Sequence, residues 1–247
     1  DWKSLNGFDQ GADTHVVFRD SKDLGYGRNM FMRTKDNGQV AIFVENYIVN
    51  VLEGDTSNYG PLNVYAAVDE NKKYHIGTNA IEFSPIDPTD PDSDKILKFF
   101  TFSPVDAQGI EKRALKGNLD GRGIKHVPGP CLVCHGGQLA PLNVDGSFPL
   151  TSLMSAKFNM LEVSSFEFAD IAGFEKADQQ SGLKSINQQV HQSYLEMKTR
   201  DTATQAHWHA DFAAQLVSGH YGDDFSLDVF QENTIPEGWQ QTAQRPE

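Results

Sequence analysis

The sequence predicts an α+β chain, β-rich over residues 1–120 and helical over 121–247, carried as a single domain. Three observations predict it. Short aromatic and β-branched runs in the first half are bounded by Gly, Pro and Asn-Gly turn signals. A 3.6-residue apolar stripe begins at Leu183. Between them, residues 121–146 are rich in Gly and Pro and read as loop or short helix.

Taken in order, Met30–Thr34 and Val40–Val44 flank Lys35-Asp36-Asn37-Gly38, a hairpin signal in which Asn-Gly supplies positive φ angles. Val64–Val68, Lys73–Gly77 and Ile96–Phe102 read as further strands, with Pro85, Pro88 and Pro91 punctuating the gap before the last. In the second half Leu183, Ile186, Val190, Tyr194 and Met197 share one helical stripe. A second helix is expected over Ala203–Ser218, with Trp208, Phe212 and Leu216 on its apolar face and Gly219 as its stop.

Of 247 residues, 38% are apolar, enough for a packed core. The 21 Lys and Arg against 34 Asp and Glu give a net charge of −13, a sign that disfavours phosphate backbones and anionic lipid. No apolar run approaches the roughly 20 residues of a membrane helix. The opening Asp1-Trp2-Lys3-Ser4 lacks both an initiator Met and a hydrophobic stretch, so the chain reads as a mature product or an excised domain.

Both cysteines fall in Cys131-Leu132-Val133-Cys134-His135, a Cys-x-x-Cys-His pentad. Two thiols one helical turn apart can each form a thioether with one vinyl group of a porphyrin. The adjacent His is then placed to bind the iron, which is the attachment signature of haem c. A redox-active Cys-x-x-Cys needs a βαβ context that is not visible, and a zinc site needs ligands beyond this one pair of cysteines. One pentad predicts one covalent haem c, held by Cys131, Cys134 and His135. Haem c is attached outside the bacterial cytoplasm, so the expected location is periplasmic or extracellular, with the export signal in the parent chain.

The run Gly121-Arg122-Gly123-Ile124-Lys125-His126-Val127-Pro128-Gly129-Pro130 leading into the pentad and Gly136-Gly137 resembles a family of large exported bacterial c-type cytochrome domains. Asp23–Met30, Ser165–Phe168, Tyr221-Gly222 and Ile235–Trp239 resemble stretches of the same family. The resemblance implies a cytochrome c-like helical haem-binding C-terminal half. It also implies, for some parent chains, an appended carbohydrate-binding domain and a link to polysaccharide degradation. It points to Met30 as the sixth iron ligand, closing the pattern Gly25-x-Gly27-Arg28-x-Met30. The residue after this Met is often His in similar sequences, and here it is Phe31.

From the residues themselves the sixth ligand is open among Met30, Met160, Met32 and Met154, a His, or no protein ligand at all. Met197 lies on a core stripe. Strand alternation puts Met30 and Met32 on one face and Phe31 and Arg33 on the other. Gly25 and Gly27 are expected to let the backbone approach a flat cofactor. Arg28, Arg122 and Lys125 flank the haem-proximal motifs and are the candidate partners of the propionates. His126 reads as a haem-edge residue, and His15, His75, His191, His207, His209 and His220 as surface or hydrogen-bonded side chains. Four carboxylates in Asp87–Asp94 read as a solvated loop, with calcium as the weaker alternative, since the Gly and terminal Glu of an EF-hand are missing.

The expected function is electron transfer by a monohaem protein with His135 and Met30 as axial ligands and a basic redox partner selected by the acidic surface. The alternatives are a haem enzyme, peroxidase-like or oxygen-activating, and a haem-based ligand sensor, both with an open sixth position.

Overall fold

Residues 2–35, 37–49, 60–118, 123–137, 141, 143–145, 147, 149, 155–200 and 206–235 are described by the structure, a computed structural model of the chain, with backbone alone at 200 and 206–209. Two compact units emerge, one of residues 1–156 with 165–179, the other of 157–164 with 180–247. The seam therefore lies later than the change of sequence character at 120–121, and the pentad belongs to the first unit.

The first unit begins with a short helix α1 (Trp2–Leu5), then strands β1 (Thr14–Asp20), β2 (Gly27–Thr34) and β3 (Val40–Tyr47), helix α2 (Leu62–Val68), and strands β4 (His75–Pro85) and β5 (Lys95–Phe102). A two-strand ribbon, β6 (Lys116–Gly117) and β7 (Lys125–His126), leads into α3 (Gly129–His135), and β8 (Phe166–Glu167) follows. The main sheet is antiparallel, in the order β5-β4-β3-β2-β1-β8. Its β2–β3 loop is closed by Lys35 N–H to the Gln39 carbonyl at 2.9 Å, with Gly38 left-handed at φ 74°.

Val64–Val68 is helical, which corrects the strand expected there. Its residues are β-branched and aromatic, but Asn63, Val64, Ala66 and Ala67 are buried while Tyr65 faces out, the spacing of a helix lying on a wall. Tertiary packing overrides a local propensity worth only about 1 kcal/mol.

Cross-strand register sorts the sheet into two faces. One carries the rows Phe99, Ile81, Ile42, Met32 and Thr101, Asn79, Val44, Met30. The other carries Phe100, Ala80, Phe43, Phe31 and His15. This second face is sealed by Trp2, whose ring lies 5.8 Å from Phe100 and 5.9 Å from Phe8. Beside that cluster α2 covers Val17 and Tyr47.

In the second unit α4 (Gln180–Arg200) buries Leu183, Ile186, Val190, Tyr194 and Met197, the stripe read from the sequence. Helix α5 (Ala206–Gly219) ends at Gly219 but turns a different stripe inward. Ala210, Ala214 and Val217 are buried, whereas Phe212 is 46% exposed. Small residues let two helix backbones approach, so the alanines decide the contact and the larger Phe212 does not. Asn187, fully buried on α4, accepts from Leu161 N–H at 2.8 Å and donates to the Leu161 carbonyl and the Tyr221 hydroxyl, each at 3.1 Å.

Among the described residues no helix is long and apolar enough to cross a membrane.

Candidate functional site

The pentad folds as one short helix because Pro128 and Pro130 fix its entry and Gly136, at φ 74°, ends it. Leu132 is the buried side of α3, and Val133 and Cys134 face out. Neither Cys131 nor Cys134 forms a disulfide. Burial pushes Cys131 up to about 11, and burial with the Asp23 carboxylate also raises Cys134, against the opposing pull of Arg28. Neither thiol is acidified in the way that disulfide-exchanging cysteines are.

The His135 ring lies 5.3 Å from that of Phe99. Phe99 is on the sheet face that bears Met30 and Met32, so α3 lies on the methionine side. Cys134 feels the charges of Asp23 and Arg28, and the His135 ring packs at β5. Met30 and Met32 are both buried, which agrees with the alternation. Three strand spacings, about 14 Å, separate them from the Phe99 column.

Arg28 is half-buried and its guanidinium pairs with Asp23. Its Nε is buried with no partner, and so is the Thr101 hydroxyl, which sits in the Met30 row. Lys125 is half-buried, with Nζ 3.5 Å from the Gly123 carbonyl. His126 is exposed. Arg122, Met154, the side chains of His207, Trp208 and His209, and Pro236–Trp239 lie outside the described residues. Met160, half-buried, belongs to the second unit.

The glycines of the Asp23–Met30 stretch serve the protein and not an approaching cofactor. A Cβ on Gly27 would sit 1.8 Å from the Asn63 carbonyl oxygen, so α2 occupies the space that the missing side chain leaves. Gly25, at φ 72°, offers its carbonyl to the Asn63 amide at 2.9 Å, and the same amide group accepts from Val49 N–H at 2.8 Å.

The opposite sheet face holds a polar network that the sequence did not disclose. Lys3 Nζ lies 3.0 Å from Glu45 and 3.3 Å from Glu111. Burial works against the Lys3 charge, yet the two carboxylates hold its pKa above the ordinary value. Glu45 accepts from the Tyr47 hydroxyl, and Glu111 from Thr78. His75 is buried, which pushes its pKa down against the pull of Glu111; its Nδ1 accepts from Val105 N–H at 3.3 Å. His15 stacks on Phe31 at 4.4 Å, on this face, away from the pentad. In the second unit His191 packs on Phe225, and His220 stacks on Phe230 and donates to the Gln231 carbonyl.

In the Asp87–Asp94 loop the Asp87 carboxylate caps Thr89, and that of Asp90 accepts from Asp92 N–H. Among the described residues no group of three His, Cys, Asp or Glu side chains is placed to hold a metal ion. No family model, curated protein or solved structure matches the chain.

Proposed function

We propose that the chain carries one covalent haem c on α3 and works as a monohaem electron carrier of an exported protein. The observation that carries this reading is the complete pentad on one helix, facing a sheet wall on which two polar atoms lack partners. Buried and unsatisfied, Arg28 Nε and Thr101 Oγ1 each cost about 1–3 kcal/mol. A propionate carboxylate is the acceptor a guanidinium N–H takes most strongly, so the residues present fit the group.

Bound there, haem c supplies a ferric–ferrous couple. Cys131 and Cys134 would hold it by thioethers, and His135, whose ring packs on Phe99, would bind its iron. Leu132 anchors the helix beneath them. Arg28 and Lys125 offset the propionate charge. Met30 is the proposed sixth ligand, supported by its place on the Phe99 face, with Met160 the alternative. These roles make a haem-binding element of cytochrome c type, delivered by a helix of the sheet unit.

A haem enzyme with an open sixth position is the second reading. The observation that favours it is the three-strand separation between the methionines and the Phe99 column.

The test is export of the chain from a host that matures haem c, followed by acid-acetone extraction and a pyridine haemochrome assay. One haem per chain that survives extraction is the expected result, and loss of colour from the polypeptide overturns the reading. The ferric spectrum then separates the two forms. A Met–iron charge-transfer band supports the carrier, and a high-spin spectrum points to the open sixth position that the enzyme and the ligand sensor share.

A further inference from the structure

The chain holds two Asn-Gly pairs, Asn6-Gly7 and Asn37-Gly38, in opposite surroundings. An Asn followed by Gly carries the least protected amide in a polypeptide. Glycine has no Cβ to shield its backbone nitrogen from the side-chain carbonyl carbon of the residue before it. Whether the two groups react depends on what the fold does with each of them.

Asn6 follows helix α1 and is buried. Its Nδ2 donates to the Trp2 carbonyl at 3.1 Å and to the Glu82 carboxylate at 2.7 Å. Gly7 N–H donates to the Ser4 carbonyl at 2.9 Å, and the Arg33 guanidinium covers Gly7, its Nε 3.4 Å from where a Cβ would stand. Loss of the Asn6 amide breaks three bonds, one of them to a charge, and sets a new carboxylate against Glu82.

Asn37 stands at the tip of the β2–β3 hairpin and is exposed. Among the described residues nothing accepts from its amide nitrogen, while its Oδ1 accepts from Gln39 N–H at 3.3 Å. That bond folds the side chain back over the Gly38 peptide. It also aims a donor at the oxygen on which negative charge builds when the carbonyl carbon is attacked. Gly38 N–H donates to the Lys35 carbonyl at 2.9 Å, a bond on an exposed turn that the reaction gives up.

We propose that Asn37 is a site of spontaneous deamidation in the folded chain, through a succinimide closed onto Gly38, and that the fold withholds the same reaction from Asn6. Gly38 N bonds to Asn37 Cγ and the Cγ–Nδ2 bond breaks; the Gly38 amide proton leaves with Nδ2 as ammonia. Water, the only co-reactant, then opens the ring at either carbonyl. One opening gives aspartate, and the other gives isoaspartate, with the main chain rerouted through the side-chain carbon. Each event adds one negative charge to a chain already at −13, and the isoaspartyl form lengthens the hairpin loop by one backbone carbon. The turn thereby records the age of the chain.

The full chain is incubated in heavy-oxygen water at mildly alkaline pH, folded and in parallel in urea, and its digested peptides are followed by mass spectrometry. Label taken up at the new carboxyl marks conversions that happen during the incubation. In the folded chain Asn37 is expected to convert at least about tenfold faster than Asn6, since an exposed turn opens far more readily than a buried helix end. In urea the two rates should fall within about threefold of each other, both pairs being exposed. The Asn37 product should contain isoaspartate, scored by retention time against synthetic peptides, because direct hydrolysis of an amide gives aspartate alone. Equal rates in the folded chain overturn the proposal, as does an Asn37 amide that survives there while it is lost in urea. A gap that persists in urea assigns the difference to sequence and overturns it too. A product that is aspartate alone rules out the ring, and the proposal with it.

Discussion

Replacing Gly27 by Ala puts a methyl group 1.8 Å from the Asn63 carbonyl oxygen and 3.2 Å from the Ala67 methyl. Side-chain carbons do not approach a carbonyl oxygen more closely than about 3 Å, so α2 must retreat from β2 by roughly 1.2 Å. That retreat strains both arms of Asn63, its bond to the Gly25 carbonyl and its acceptance of Val49 N–H. It also loosens Val64 and Ala67 from Val17 and Tyr47. Overpacking of this kind costs about 3 kcal/mol at the upper end of its usual range. For a chain of this size that corresponds to a melting point about 6–12 °C lower. The assay is thermal unfolding of the chain made both with and without haem maturation. Equal losses in the two forms are expected, because the clash is internal to the protein. A variant that melts within 1 °C of the parent without haem, yet loses its haem spectrum, would refute the reasoning and return Gly27 to the cofactor.

Met30→Ala in the haem-loaded chain should leave the haem attached, lower the potential and admit cyanide or imidazole, at a packing cost of about 2–5 kcal/mol. Met160→Ala should change neither spectrum nor potential, and the reverse pattern moves the ligand to Met160. Asn187→Ala should cost about 2–3 kcal/mol in urea unfolding, since it strands both polar groups of Leu161; an unchanged midpoint contradicts that role. His75 has a folded pKa below its unfolded value, so the unfolded chain takes up the proton first. Stability is therefore complete above the unfolded pKa of about 6.5 and is lost as pH falls through it toward the folded value. His75→Gln should flatten the fall in melting temperature between pH 7 and about pH 5. An equally steep fall in the variant assigns the dependence to other groups.

Helix α4 was legible because its five buried apolar residues repeat at helical spacing over four turns, and the β2–β3 hairpin because Gly38 marks its turn. The α2 segment was not, because a seven-residue helix shows barely two turns of pattern while its Val and Tyr point to a strand. On α5 the large side chains Phe212 and Leu216 outweighed Ala210 and Ala214 in a hydrophobicity reading, although close packing selects the small ones. The pentad was legible as a local motif. The orphaned Arg28 Nε was not, nor was the Lys3–Glu45–Glu111 network, whose members meet across 42 residues or more and carry no local signature.

The sheet is completed out of turn. Its first five strands follow one another along the chain, but the edge beyond β1 waits for β8, where Arg19 meets Glu167, 148 residues away. Closing so long a loop costs about 3 kcal/mol more in chain entropy than closing a hairpin. Two residues of strand return little against that cost. During synthesis, then, the chain that carries the two thiols is tethered at β5 alone until residue 167 has emerged, and only afterwards is it held at both edges. Helix α3 therefore stands on the last part of the sheet unit to be anchored at both ends.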